Sequence, residues 1–225
     1  MNKYQRLFFF QTIFGFIFLF GFELKAQTES SKRSWFQAAQ QGELVKIKKL
    51  YKKVKVDSEN PEGETALILA AEAGSKEVVE FLLSQKANVN IKDHSGNLAL
   101  VYSIEMGADE ISFLLLQSGT VRDFKTKEAN SLFALAAKAG RTKIIDELLK
   151  NETRVLDQVN EEGETPVMVA LRSAHFALAE YLLKQGAKLD LKNKKGQTLL
   201  EIAKESGVPE GHSIYRVLAT TKTAH

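Results

Sequence analysis

Four histidines are the side chains in this sequence best suited to hold a metal or move a proton, and their placement supports neither use. His94, His175, His212 and His225 are scattered, and none stands with a second histidine or a carboxylate at metal-ligand spacing. Nucleophilic catalysis fares no better. Serines, histidines and aspartates are present, but no Gly-x-Ser-x-Gly elbow lifts a serine onto a strand-to-helix turn. No Gly-x-x-x-x-Gly-Lys or Gly-x-Gly-x-x-Gly loop offers backbone N–H groups to a phosphate. The chain has no cysteine, which excludes thiolate chemistry and disulfides. It reads as a non-enzyme that takes no metal and no cofactor, so its polar side chains are left to pair with groups on another molecule.

The elements that carry those side chains recur. Ala70, Ser103, Ala136 and Ala170 are followed at matching distances by Leu82/Leu83, Leu115/Leu116, Leu148/Leu149 and Leu182/Leu183, giving intervals of 33, 33 and 34 residues in both series. A fixed period of roughly 20 to 50 residues marks a stacked repeat protein. Each copy holds a short Ala-rich helix, a second apolar-periodic helix and a polar connection. The first copy reads GETALILAAEAG, KEVVEFLL, KANVN; the fourth reads GETPVMVALRSA, ALAEYLL, GAKLD.

This pattern resembles the ankyrin repeat, a unit of about 33 residues whose first helix opens on Thr-Pro-Leu-His-x-Ala. Thr165-Pro166 matches that opening and Thr65-Ala66-Leu67 nearly does. The physical reasons are local. A threonine ahead of a helix accepts from free backbone N–H groups, and proline suits a first turn whose N–H has no partner. Gly74, Gly107 and Gly140 close the first helices, where a left-handed residue costs least as glycine. The resemblance implies an all-α solenoid of helix-turn-helix units joined by short β-hairpin loops.

Carried outward, the alignment gives six units: an N-terminal cap over 34–58, full units over 59–91, 92–125, 126–158 and 159–192, and a C-terminal cap over 193–222. Residues 27–33 are expected as a linker. The second full unit departs from the pattern at Leu98 and Ser103, and the third places Ala129 where the hairpin glycine belongs. The extra residue between units falls in KNETRVLDQVN, so it is expected in a loop. VPEGHS after Gly207 is expected to delay the last helix. Phe81, Phe113, Ile144, Ile145 and Tyr181 sit at core-like spacing in the second helices. His175 follows the place of the family's Gly-His, where the resemblance implies a histidine that ties loops together.

The N-terminus differs in kind. Lys3 and Arg6 precede the apolar stretch Leu7 to Phe22, and Leu24-Lys25-Ala26 precedes Gln27. That order predicts a signal peptide over 1–26, cut after Ala26. A retained membrane anchor is the alternative, but 16 residues fall short of the roughly 20 a span needs. Export to the periplasm is expected, with release from the cell as the second possibility, and no stable membrane insertion after cleavage. Loss of the leader lowers the formal charge from +3 to +1, so composition gives no reason to expect nucleic acid.

In the family the sequence resembles, partners dock on a concave side formed by hairpin tips and outward first-helix positions. The matching residues are Glu62, Glu64 and Glu72; His94, Asn97, Glu105 and Met106; Lys127, Glu128 and Lys138; Glu161, Glu162, Glu164 and Arg172; and Lys194, Lys195, Gln197 and Glu205. Nine carboxylates face five cations there, a balance that would steer a basic partner. Lys46, Lys48, Lys49, Lys52, Lys53 and Lys55 alternate with Val45, Ile47, Leu50, Val54 and Val56, and read as the solvated side of a half-buried segment. The expectation is a monomeric, non-catalytic scaffold that binds another protein, as exported relatives that guard other exported proteins do. A secreted effector or inhibitor aimed at a host or competitor protein is the alternative.

Overall fold

A computed structural model describes residues 27–150 and 154–219. The expected signal peptide lies outside the described residues, as do His225 and the end of the last expected unit. Two compact units divide the chain, one ending at Ala87 and the other starting at Asn88. The first holds α1 (described over residues 27–40), α2 (Leu44–Leu50), α3 (Ala66–Glu72) and α4 (Lys76–Ser84). The second holds α5 (Ala99–Glu105), α6 (Asp109–Gln117), α7 (Leu132–Lys138), α8 (Thr142–Leu149), α9 (Pro166–Arg172), α10 (Phe176–Lys184), α11 (Leu199–Glu205) and α12 (Ser213–Ala219). A 3-10 turn, Arg154–Asp157, separates α8 from α9. Among the described residues the hairpins reduce to single antiparallel bridges, Glu59 with Thr65 and Lys125 with Ser131.

Capping sets where the first helices begin. Thr65, Ser131 and Thr165 accept from the backbone N–H of Ile68, Ala134 and Met168, each three residues on. Thr198 does the same for Glu201, whose carboxylate returns to the Thr198 N–H at 2.8 Å and closes a capping box. Leu98 holds this position in the second full unit and makes no side-chain cap, which forgoes about 1 kcal/mol. These helices have seven residues each, too few to persist alone. Burial holds them: every residue from Ala66 to Ala71, Leu132 to Ala137 and Pro166 to Leu171 is buried.

The second helices are amphipathic and bury one stripe, Val78, Val79 and Leu82 in α4 and Ile144, Ile145 and Leu148 in α8. In the first unit α4 packs on α2 and α3. In the second unit α5, α7, α9 and α11 pack in a row, with α6 against α8 and α10 against α12. Ser103 replaces the alanine of the other copies and meets Ser112 of α6 at 2.8 Å, so the fully buried hydroxyl stays satisfied.

Several expectations meet detail. Within the stretch expected to hold the extra residue, Arg154–Asp157 form the 3-10 turn, Leu156 is buried and Asp157 accepts from the Lys188 N–H at 2.9 Å, while residues 151–153 lie outside the described residues. The last helix is delayed, since α12 starts at Ser213 whereas α4, α6 and α8 start two residues after their glycines. Residues 27–33 are helical and continuous with the helix that buries Trp35, with Glu29 and Lys32 paired across one turn at 3.6 Å. Ile144 and Ile145 are fully buried, but Phe81, Phe113 and Tyr181 are half-buried at the rim of the core. Phe81 meets Tyr51 edge-on, and the Tyr181 hydroxyl donates to Asp146 at 2.5 Å. Ile47 and Val54 are buried as the alternation implies, whereas Val45 is 69% exposed.

Candidate functional site

Each hairpin tip is built on one polar residue, and these residues share the repeat period. Asn60 Oδ1 accepts from the N–H groups of Glu62 and Glu64, Asn160 Oδ1 from Glu162 and Glu164, and Asn193 Oδ1 from Lys195 and Gln197, all between 2.8 and 3.1 Å. Asp93 and Thr126 make the shorter version, receiving the N–H of Asn97 at 2.9 Å and of Asn130 at 3.3 Å. The side chain stands in for a backbone carbonyl and folds the tip. Sequence reasoning missed this set, although positions 60, 93, 126, 160 and 193 keep the period of the alanine anchors.

In the first unit Glu62 is exposed, Glu72 is half-buried, and Glu64 receives the Asn60 amide at 2.8 Å. In the second unit neighbouring tips are joined through the backbone. The Glu161 N–H donates to the Glu128 carbonyl at 3.3 Å, and the Lys194 N–H to the Glu162 carbonyl at 2.9 Å. Lys127 reaches back to the carbonyl of His94 at 2.7 Å, leaving the exposed imidazole of His94 outside that contact. The Glu128 carboxyl is held below its ordinary range, first by its own backbone N–H and then by Thr126. Glu105, Lys138, Lys195 and Met106 are exposed, and Met106 is 59% so.

One expected site residue is caged. Arg172 Nε lies 2.5 Å from Glu164 Oε1, Nη2 lies 2.7 Å from Gln197 Oε1, and Nη1 lies 3.6 Å from Glu205 Oε2. Gln197 turns its amide to Glu205 at 2.7 Å, so four side chains from two successive repeats form one network. Arg172 therefore sits between two of the carboxylates behind the expected acidic excess and offsets one of them. Glu161 and Glu162 stay exposed at their tip without an ion pair among the described residues, beside the exposed Lys194 and Lys195. The second unit thus presents an acidic tip next to a basic one. Such a surface can orient a partner of complementary charge, beside the surface network that Arg172 ties together.

The remaining histidines are structural where they are described. His175 Nε2 lies 3.0 Å from the Lys138 carbonyl, and His212 Nδ1 accepts from the Ile214 N–H at 3.2 Å at the start of α12. Among the described residues no three histidine, aspartate or glutamate side chains gather as a metal site, and no helix is long and apolar enough to cross a membrane.

The family model for ankyrin repeats in three copies matches residues 35–128, 113–193 and 133–223. Among solved structures the chain is similar to the immunity protein Bd3460, determined in complex with the predatory endopeptidase Bd0816 from Bdellovibrio bacteriovorus. The TM-score is 0.75 with 32% sequence identity, over 83% of this chain and 97% of that one. No curated protein matches the sequence.

Proposed function

The chain belongs to the ankyrin-repeat family, and on that premise we propose that it is an exported, non-catalytic immunity protein that docks on an endopeptidase and restrains it in the cell that makes both. The observation that carries this reading is the 32% identity that runs over 97% of a protein solved in complex with an endopeptidase. A likeness over nearly the whole neighbour includes its tips and first helices as well as its core. The repeats' role as a protein-binding scaffold supports it in general, and the leader-like residues 1–26 supply the route out of the cytoplasm. The docking surface is the set of hairpin tips and first-helix ends, with Glu161, Glu162, Lys194, Lys195 and Met106 as exposed contacts in the second unit.

The test is affinity capture of the tagged chain from its own cell envelope, followed by titration of the captured enzyme with purified chain. Recovery of an endopeptidase whose activity falls at one-to-one stoichiometry is the expected result. A peptidase whose activity is unchanged, or a captured partner of another class, would sink the immunity reading. Fractionation decides compartment separately: periplasmic retention fits self-protection, and appearance in the medium fits the effector reading.

A further inference from the structure

We propose that the lysine-rich turn after α2 docks on the anionic phospholipid headgroups of the membrane from which the chain emerges. The proposal rests on the export reading above and concerns the first unit alone. Lys48, Lys49, Lys52, Lys53 and Lys55 are all exposed within one short stretch. Lys46 is paired with Glu43 at 3.0 Å, and Lys48 lies over the Phe81 ring at 5.7 Å. Lys49, Lys52, Lys53 and Lys55 have no ion pair among the described residues. Four like charges left on one turn repel each other, and a surface of opposite sign relieves that repulsion.

Two shallow hollows fix where this charge sits. One, of about 420 Å³, is lined by Tyr51, Val54 and Val56 together with Lys52, Lys53 and Lys55. The other, of about 170 Å³, is lined by Gln27, Thr28, Ser31 and Lys53. Lys53 therefore stands against the first described turn of α1, only five residues beyond Phe22, where the apolar stretch of the leader ends. A chain still attached to its leader would bring these ammonium groups to the headgroup layer beside it. A cleaved chain would keep the same surface for reversible attachment. Val45, 69% exposed and one turn before Lys48 and Lys49 on α2, adds an apolar side chain beside the charges, the combination that suits the boundary between headgroups and acyl chains. Nucleic acid is the poorer fit, because Tyr51 and Phe81 are half-buried and spend their rings on each other.

The test is flotation of the full chain with vesicles of phosphatidylcholine, and with vesicles in which part of that lipid is replaced by phosphatidylglycerol. The leader carries Lys3, Arg6 and Lys25 and adds an anionic preference of its own, so the patch is read from the change in this ratio when its lysines are replaced and the leader is kept. The expected result is a preference for the anionic vesicles of about tenfold or more in low salt, collapsing in high salt. Joint replacement Lys49→Gln, Lys52→Gln, Lys53→Gln and Lys55→Gln should lower the preference about tenfold or more, and arginine at the same four positions should keep it. Equal charge removal in the second unit, by Lys143→Gln, Lys184→Gln, Lys188→Gln and Lys192→Gln, should leave it in place. Equal partition to both vesicles, a preference undiminished by the first replacement, or one lowered equally by the second would overturn the proposal. So would binding of an oligonucleotide or an acidic protein without binding to the lipid. Protease accessibility in intact cells tests export by itself: a purely cytosolic chain would overturn the export reading without altering the vesicle ratio.

Discussion

His175, the residue that precedes α10, holds the preceding repeat at two points, its Nε2 donating to the Lys138 carbonyl at 3.0 Å and its ring lying over Gly140. A Cβ placed on Gly140 would come within 2.8 Å of that ring, and the glycine has φ +70°. The device recurs. The Arg141 guanidinium covers Gly107 in the second unit, and the Ser75 hydroxyl covers Gly42 in the first. One repeat lays a side chain on the left-handed corner of the one before it, so the corner has to stay small.

His175→Ala should therefore lower stability by about 1 kcal/mol through the lost hydrogen bond. Gly140→Ala should cost more, roughly 1–2 kcal/mol from backbone strain alone before the contact with the ring is counted. Urea denaturation of the single and double variants measures both. The double variant should lose less than the sum, because removing the ring clears the space that the new methyl group needs.

Two alanines sit where glycine is cheaper. Ala129 has φ +56° at the hairpin position that Gly63, Gly96, Gly163 and Gly196 fill elsewhere, and Ala174 has φ +58° at the corner filled by Gly74, Gly107 and Gly140. Ala129→Gly and Ala174→Gly should each raise stability by about 0.5 kcal/mol, the relief of left-handed strain exceeding glycine's entropy cost. Gly163→Ala should act in the opposite sense, since its Cβ would meet the Lys194 backbone nitrogen at 3.0 Å. Thermal midpoints that move the same way for both kinds of change would refute this.

Acid should loosen the last repeat. The Glu201 carboxyl is held below its ordinary range, chiefly by the Thr198 backbone N–H and then by the Thr198 hydroxyl. A depressed carboxylate contributes stability above its unfolded pKa, and that contribution is lost as pH falls through the folded value. Stability at neutral pH should therefore fall on acidification below the ordinary glutamate range, and Glu201→Gln should flatten that slope. Denaturant midpoints across the acid range measure it.

At the proposed docking surface, Glu161→Lys with Glu162→Lys should slow association with the captured endopeptidase in low salt while leaving the melting temperature unchanged, since both side chains are exposed and unpaired. Arg172→Ala should lower the melting temperature as well, because it leaves Glu164 and Glu205 facing each other without a cation. Unchanged association rates for the tip reversals would retire charge steering at this tip.

The period, the helix pairs and the capping threonines are legible in the letters, and the family resemblance adds the tie made by His175. Each depends on neighbours within one repeat or on a position repeated in the next, and such regularity is written in residue spacing. Which charges are free follows from packing alone. Glu164, Arg172, Gln197 and Glu205 read as separate surface groups along the chain, and they become one network because stacking brings long side chains from successive repeats within hydrogen-bond reach. Packing likewise left Val45 exposed and set Lys53 beside Gln27. Periodicity is local and survives in the letters, whereas the pairing of a side chain depends on distances that exist only once the repeats are stacked.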